Sequence, residues 1–217
     1  MLILSHRGYH ADVPENTVAA FERAQRLGVD GIETDLHLAS DGQVILFHDR
    51  VAPNGQPISG LTRSELSQVV GFEVPTLDEA LAAFADLFWN LEIKAPAALT
   101  AALAIMRPYA RRTKFLLSSF WHPVVVEALA ASPYDCGLLV AHRPCDFASF
   151  MSSLKGPRHR IGVVWDFQTT DPAIVEQAKS AGLKCFVYGP KTQADHELLR
   201  QLNVDGVISD TPQFLLG

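Results

Sequence analysis

The stretch Gly31-Ile32-Glu33-Thr34-Asp35-Leu36-His37-Leu38, continued by Asp41-Gly42 and Val44-Ile45-Leu46-Phe47-His48-Asp49, decides how this chain folds. On a strand, Glu33 and Asp35 share one face while Ile32 and Thr34 share the other. His37 falls on the carboxylate face, further along. Asp-Gly between two apolar runs predicts a hairpin. With Asp41-Gly42 as a two-residue turn, Ser40 faces Gln43 and Asp35 is set directly across from His48. A three-residue loop would shift that register by one. On this reading the hairpin rises above the sheet and returns His48 to the level of Asp35, with His37 as a structural or supporting residue.

Moving outward, short apolar runs recur at residues 2–5, 88–94, 114–120, 136–142, 161–167, 184–188 and 206–210, making eight strands with 31–38. Helix-like stretches separate them. Residues 15–27 carry apolar side chains at helical spacing, and Gly28 is the expected stop. Thr62-Arg63-Ser64-Glu65 and Thr76-Leu77-Asp78-Glu79 fit capping boxes, Thr170-Asp171-Pro172 fits a capped helix start, and Pro123 opens another. Eight strands with helical crossovers predict an α/β chain of the (β/α)8 barrel type, with residues 1–217 as a single domain and the hairpin as an extension after strand two.

Composition narrows the function. An apolar fraction of 48% supplies a sizeable core, and a net charge of −6 without a Lys/Arg stripe argues against nucleic acid as a partner. Cys136, Cys145 and Cys185 form no CxxC motif and read as reduced thiols. The apolar start is too short for a signal peptide, and no run approaches a membrane span. A cytoplasmic location is the expectation.

Two carboxylates side by side repel each other and are costly to bury, and a divalent cation relieves both problems. The alternative for Glu33 and Asp35 is a solvated edge strand. Asn90, Glu92 and Lys94 share a face by the same alternation. Glu92 could supply a third carboxylate to Mg²⁺ or Ca²⁺ and Lys94 could reach a phosphate, or the two could simply pair inside the barrel. His6 and His48 each end an apolar run, where barrel enzymes place catalytic groups, and two imidazoles suit the two proton transfers of phosphodiester cleavage. Singly, either could be structural. Arg7 could bind phosphate or pair with an acid. Phe120, His142, Trp165 and Tyr188 end later strands and could wall a substrate pocket, whereas His10, His122, His159 and His196 read as surface residues.

In order, His6-Arg7-Gly8, Glu15-Asn16-Thr17, Gly31-Ile32-Glu33-Thr34-Asp35, Asp41-Gly42, His48-Asp49, Pro75-Thr76-Leu77, Leu91-Glu92-Ile93-Lys94, Ser119-Phe120 and residues 206–210 resemble the glycerophosphodiester phosphodiesterase family. The resemblance spans nearly the whole chain. It implies a TIM barrel that hydrolyses glycerophosphodiesters to sn-glycerol 3-phosphate and an alcohol. It also implies one divalent ion, Mg²⁺ or Ca²⁺ with Mn²⁺ possible, on Glu33, Asp35 and Glu92. His6 and His48 would be the acid/base pair, Arg7 and Lys94 the phosphate holders, and Glu15 and Asn16 braces of the first loop. The implied partner is a small-molecule glycerophosphodiester, and the residues leave the oligomeric state open. Two departures stand out. The segment of residues 50–74 is shorter than the family's usual insertion, and Tyr188-Gly189-Pro190 replaces a Trp-Thr-Val-Asn pattern. Two other outcomes fit the same barrel: a phospholipase D-like lyase forming cyclic phosphates from lysophospholipids or sphingolipids, and a non-catalytic phosphate-binding barrel.

Overall fold

In the computed structural model, which describes residues 1–152 and 156–216, the eight expected strands close into a parallel barrel. They are β1 (Leu2–His6), β2 (Gly31–Leu38), β4 (Phe88–Ile93), β5 (Phe115–Ser119), β6 (Asp135–Val140), β7 (Ile161–Asp166), β8 (Lys184–Tyr188) and β9 (Gly206–Ser209). A short strand β3 (Val44–Leu46) is antiparallel to β2 and lies outside the ring. Pairing of β1 with both β2 and β9 closes the barrel. The helices are α1 (Val18–Leu27), α2 (Arg63–Val70), α3 (Leu77–Ala83), α4 (Leu99–Met106), α5 (His122–Ala131), α6 (Phe147–Ser152), α7 (Pro172–Ser180) and α8 (Gln193–Gln201).

The strand period of two sorts the side chains into two layers. Leu4, Leu116, Leu139, Val164, Phe186 and Ile208 fill the barrel interior. Ile32, Leu36, Trp89, Leu91, Val163 and Trp165 face the helices in the larger outer core. Gly206 makes room for Phe186, since a Cβ there would lie 2.4 Å from its ring. Toward the C-terminal ends of the strands, the inward positions turn polar: Glu33, Asp35, Asn90 and Glu92 are all buried. Barrel enzymes place their chemistry at this end, where loops can vary without disturbing the packed interior.

Local chemistry sets the helix ends. Both expected capping boxes form, Thr62 with Glu65 on α2 and Thr76 with Glu79 on α3. Asp171 caps α7 ahead of Pro172, and Gly28 ends α1 in the left-handed region at φ 87°. The first helix starts later than its apolar spacing predicts. Asn16 is left-handed at φ 56° and Thr17 caps Ala20, so Glu15 and Asn16 belong to the preceding loop.

The hairpin register differs from the two-residue-turn expectation. Ala39 N–H donates to Gln43 at 2.9 Å, leaving a three-residue turn of Ser40, Asp41 and Gly42. Gly42 supplies the left-handed third position (φ 81°), and Asp41 Oδ1 accepts from Gln43 N–H at 3.2 Å. The paired indices are Leu36–Leu46, His37–Ile45 and Leu38–Val44. Asp35 therefore accepts from the Phe47 N–H at 3.0 Å, and His48 lies one residue beyond it. The short segment after His48 is packed by its own small core: Ala52, Ile58, Leu61, Leu66 and Val74 seat against Ala39 and Ile45.

Candidate active site

Parallel register aligns the polar residues of three neighbouring strands. His6 of β1 is level with Glu33 of β2, Glu33 with Asn90 of β4, and Asp35 with Glu92. One cavity of about 220 Å³ is lined by His6, Arg7, Glu33, His48, Glu92 and Lys94, with Phe120, Leu139, Tyr188 and Ile208 as an apolar wall. Every candidate catalytic, phosphate-holding and metal-ligating residue except Asp35 lines it. Asp35 is fully buried just beneath, with its carboxylate 3.3 Å from Lys94 Nζ and 3.2 Å from Arg7 Nε. His142 is exposed beyond the end of β6 and Trp165 faces the outer core, so neither walls the pocket. Trp165 lies on the opposite parity from the inward-facing Val164, which explains its placement.

The three carboxylates have ligand atoms within 4.8 Å of one another. Burial, then the like charges of Asp35 and Glu92, push the Glu33 carboxyl well above its usual range. Burial and then Asp35 raise Glu92 to about 7, against the pull of Lys94. Burial alone would raise Asp35 as well, but Lys94 and Arg7 hold it below the ordinary value. Lys94 also sits 2.9 Å from Glu92, and Arg7 shares its charge with Glu15 through contacts of 2.9 and 3.0 Å. The two cations thus leave Glu33 and Glu92 short of positive charge. Three clustered oxygen ligands with that deficit suit a hard divalent cation.

The backbone around the cluster is constrained. Arg7 is left-handed at φ 55°, an unusual state for a residue with a side chain, and its N–H donates to the Glu33 carbonyl at 2.8 Å. Gly8 follows at φ 79°, where a Cβ would meet Ala20 at 2.8 Å. Left-handed Asn16 donates from Nδ2 to Asp35 at 2.9 Å and accepts from Thr34 Oγ1 at 2.6 Å. Glu15 and Asn16 do brace the first loop, the one through Arg7 and the other through Asp35.

Three further contacts complete the site, and only the one between neighbouring residues is visible in the sequence. Asp210 Oδ1 lies 2.6 Å from His6 Nδ1, and His48 Nδ1 lies 2.8 Å from Asp49 Oδ1. Each imidazole is thus tied at Nδ1 to a carboxylate. Ser5 is level with Ser209, so barrel closure puts the residues that follow, His6 and Asp210, side by side. A barrel brings its first and last strands together, and that was the available signal. Asn90 accepts from Ser118 at 2.8 Å and lines the pocket, and its buried Nδ2 has no acceptor among the described residues. The remaining histidines divide. His159 is exposed, but His196 is fully buried and bonded to Ser209 at 2.7 Å. His122 donates to the Leu139 carbonyl at 2.9 Å, and His10 lies 3.3 Å from Asp210. His37 is buried beneath the His48 carbonyl, 3.5 Å away.

Comparison with known proteins places this geometry. A sequence model of the glycerophosphoryl diester phosphodiesterase family matches residues 6–214. A glycerophosphodiester phosphodiesterase of Caldanaerobacter subterraneus subsp. tengcongensis is 29% identical over 244 residues, covering 100% of this chain and 96% of the relative. Among solved structures, an Oleispira antarctica phosphodiesterase in complex with the product sn-glycerol-3-phosphate superposes with a TM-score of 0.87. It is 25% identical, with 100% of this chain and 95% of that one covered. A Thermotoga maritima glycerophosphodiester phosphodiesterase gives a TM-score of 0.85 at 25% identity, covering 99% and 96%. The chain belongs to the glycerophosphoryl diester phosphodiesterase family.

Proposed function

We propose that this family member hydrolyses glycerophosphodiesters to sn-glycerol 3-phosphate and an alcohol, with His6 and His48 as its proton-transfer pair. Family membership supports the reaction class, and the Oleispira relative was solved with that product bound. The residue assignment rests on one observation: two imidazoles, each tied at Nδ1 to a carboxylate, line one pocket with two of three clustered carboxylates.

Arg7 and Lys94 supply fixed positive charge for the phosphoryl group, and the unpaired amide of Asn90 offers a donor to one of its oxygens. Glu33, Asp35 and Glu92 would hold a divalent ion, Mg²⁺ or Ca²⁺ with Mn²⁺ a further candidate, and that ion would polarise the phosphoryl group and acidify an attacking hydroxyl. His6 accepts the nucleophile's proton. Its Nδ1–H donates to Asp210, which leaves the Nε2 lone pair on the Glu33 side, 3.8 Å from Glu33 Oε2. His48 sits further out, with its side chain 35% exposed, and protonates the departing alkoxide. Phe120 and Tyr188, edge to face at 6.3 Å, pack against the carbon skeleton of the substrate.

Residues 1–217 act as one domain on this reading, since the eight parallel strands between residues 2 and 209 build a single ring. Among the described residues no helix is long and apolar enough to cross a membrane, and the three cysteines are free thiols. Those features support a cytoplasmic location.

Two experiments test the assignment. His6→Ala and His48→Ala should each lower kcat on glycerophosphocholine by about 10²–10⁴-fold. On a nitrophenyl phosphodiester, whose leaving group needs no proton, His48→Ala should recover most of its rate and His6→Ala should not. Wild-type rates in either variant on glycerophosphocholine, or the reverse rescue pattern, would overturn the roles. Phosphorus NMR of the products should show glycerol phosphate; a persistent cyclic product would replace hydrolysis with cyclisation. Separately, Glu33→Ala and Glu92→Ala should weaken Mg²⁺ or Ca²⁺ binding by at least about tenfold in calorimetry, with circular dichroism unchanged. Unaltered affinity would remove these carboxylates from the metal site.

A further inference from the structure

Beside the three carboxylates stands a second cluster of different chemistry. His6 Nδ1 is 2.6 Å from Asp210 Oδ1, and His10 Nε2 approaches the same oxygen at 3.3 Å. Each of the three residues offers a ligand atom, and those atoms lie within 4.8 Å of one another. The side chains of His6, His10 and Asp210 are 27%, 25% and 56% exposed, so solvent reaches the cluster directly. A hard ion such as Mg²⁺ selects oxygen ligands, whereas imidazoles suit Zn²⁺, Ni²⁺ or Cu²⁺. Tetrahedral Zn²⁺ with ligands at 2.0–2.2 Å holds its donors about 3.3–3.6 Å apart. His10 and Asp210 already meet that spacing, and His6 and Asp210 would open by about 1 Å or less to reach it.

We propose that His6, His10 and Asp210 form a second cation site for a borderline transition-metal ion such as Zn²⁺, and that filling it silences His6 as a proton acceptor. With Zn²⁺ on Nδ1, the single proton of the neutral ring moves from Nδ1 to Nε2. The ring then presents an N–H toward Glu33 and the pocket, where the reaction needs a lone pair. The binding half of the proposal stands on geometry alone. The silencing half rests on the proposed role of His6 as the base.

The test uses metal-stripped protein equilibrated with saturating Mg²⁺ and then dialysed against Zn²⁺. One Zn²⁺ per chain should bind, and His10→Ala and His10→Gln should each weaken that binding at least tenfold. His10 does not line the catalytic pocket, so both variants should keep wild-type turnover without Zn²⁺ and need at least tenfold more Zn²⁺ for half-inhibition. Wild-type Zn²⁺ affinity in both variants would overturn the site, as would one-for-one displacement of Zn²⁺ by added Mg²⁺. Stoichiometric Zn²⁺ with undiminished turnover would overturn the silencing. If the chain turns over no glycerophosphodiester at all, the catalytic reading fails, while dialysis still decides the cation site.

Discussion

His6 is fixed at Nδ1 by Asp210, 2.6 Å away, while Nε2 stays clear of hydrogen-bond range of Glu33 at 3.8 Å. An imidazole held this way has one tautomer, because an ionised carboxylate can only accept. Asp210→Asn keeps the shape but can offer an amide N–H to Nδ1, which selects the opposite tautomer. The variant should lose about 10²–10⁴-fold in kcat with KM little changed, and Asp210→Glu should recover part of it. A purely structural role for Asp210 would lower the melting temperature and leave kcat intact. The two imidazoles differ in how they obtain this support. His48 takes it from its sequence neighbour Asp49, His6 from a residue 204 positions away. Only the first of these pairs is visible as a dipeptide.

At the scale of elements, the parts set by local chemistry follow the sequence closely. In α3, Thr76 Oγ1 accepts from Glu79 N–H at 3.2 Å and Glu79 returns the contact to Thr76 N–H at 2.9 Å. Arg63 of α2 forks onto the same Glu79 at 2.9 and 2.8 Å, so the cap also joins two helices. Thr76→Ala should cost about 1 kcal/mol, seen as a lower urea midpoint with an unchanged m-value and unchanged kcat. An unmoved midpoint would mean that Arg63 holds the helix start without the threonine. The hairpin is the element where local reading failed, by one residue. Asp41-Gly42 signals a turn, but either residue count closes it. The choice was made by Gly42 in the left-handed third position and by Arg63, whose N–H donates to Asp41 at 3.0 Å. That second anchor lies outside the hairpin.

At the scale of the whole molecule, burial divides the thiols. Cys136 and Cys185 are buried in the strands, and burial pushes both up to about 12, whereas Cys145 is exposed. At pH 8 a thiol of that kind is about one part in 10⁴ thiolate, so a disulfide reagent should titrate one cysteine in native protein and three after denaturation. Two or three fast thiols in the native state would show that the barrel opens readily. Legible in the residues alone were the barrel class, the shared face of Glu33 with Asp35 and of Asn90 with Glu92 and Lys94, both capping boxes and the candidate imidazoles. Periods of two and 3.6 and a four-residue cap are properties of adjacent residues, and they survive whatever the rest of the chain does. The tertiary structure alone decided that Asp210 and His10 meet His6, that Asn16 holds Asp35, that His196 is buried and that Asp35 faces Phe47. Those facts depend on which strands become neighbours and with what stagger. In a closed barrel that is fixed only when β9 finds β1 across the full length of the chain.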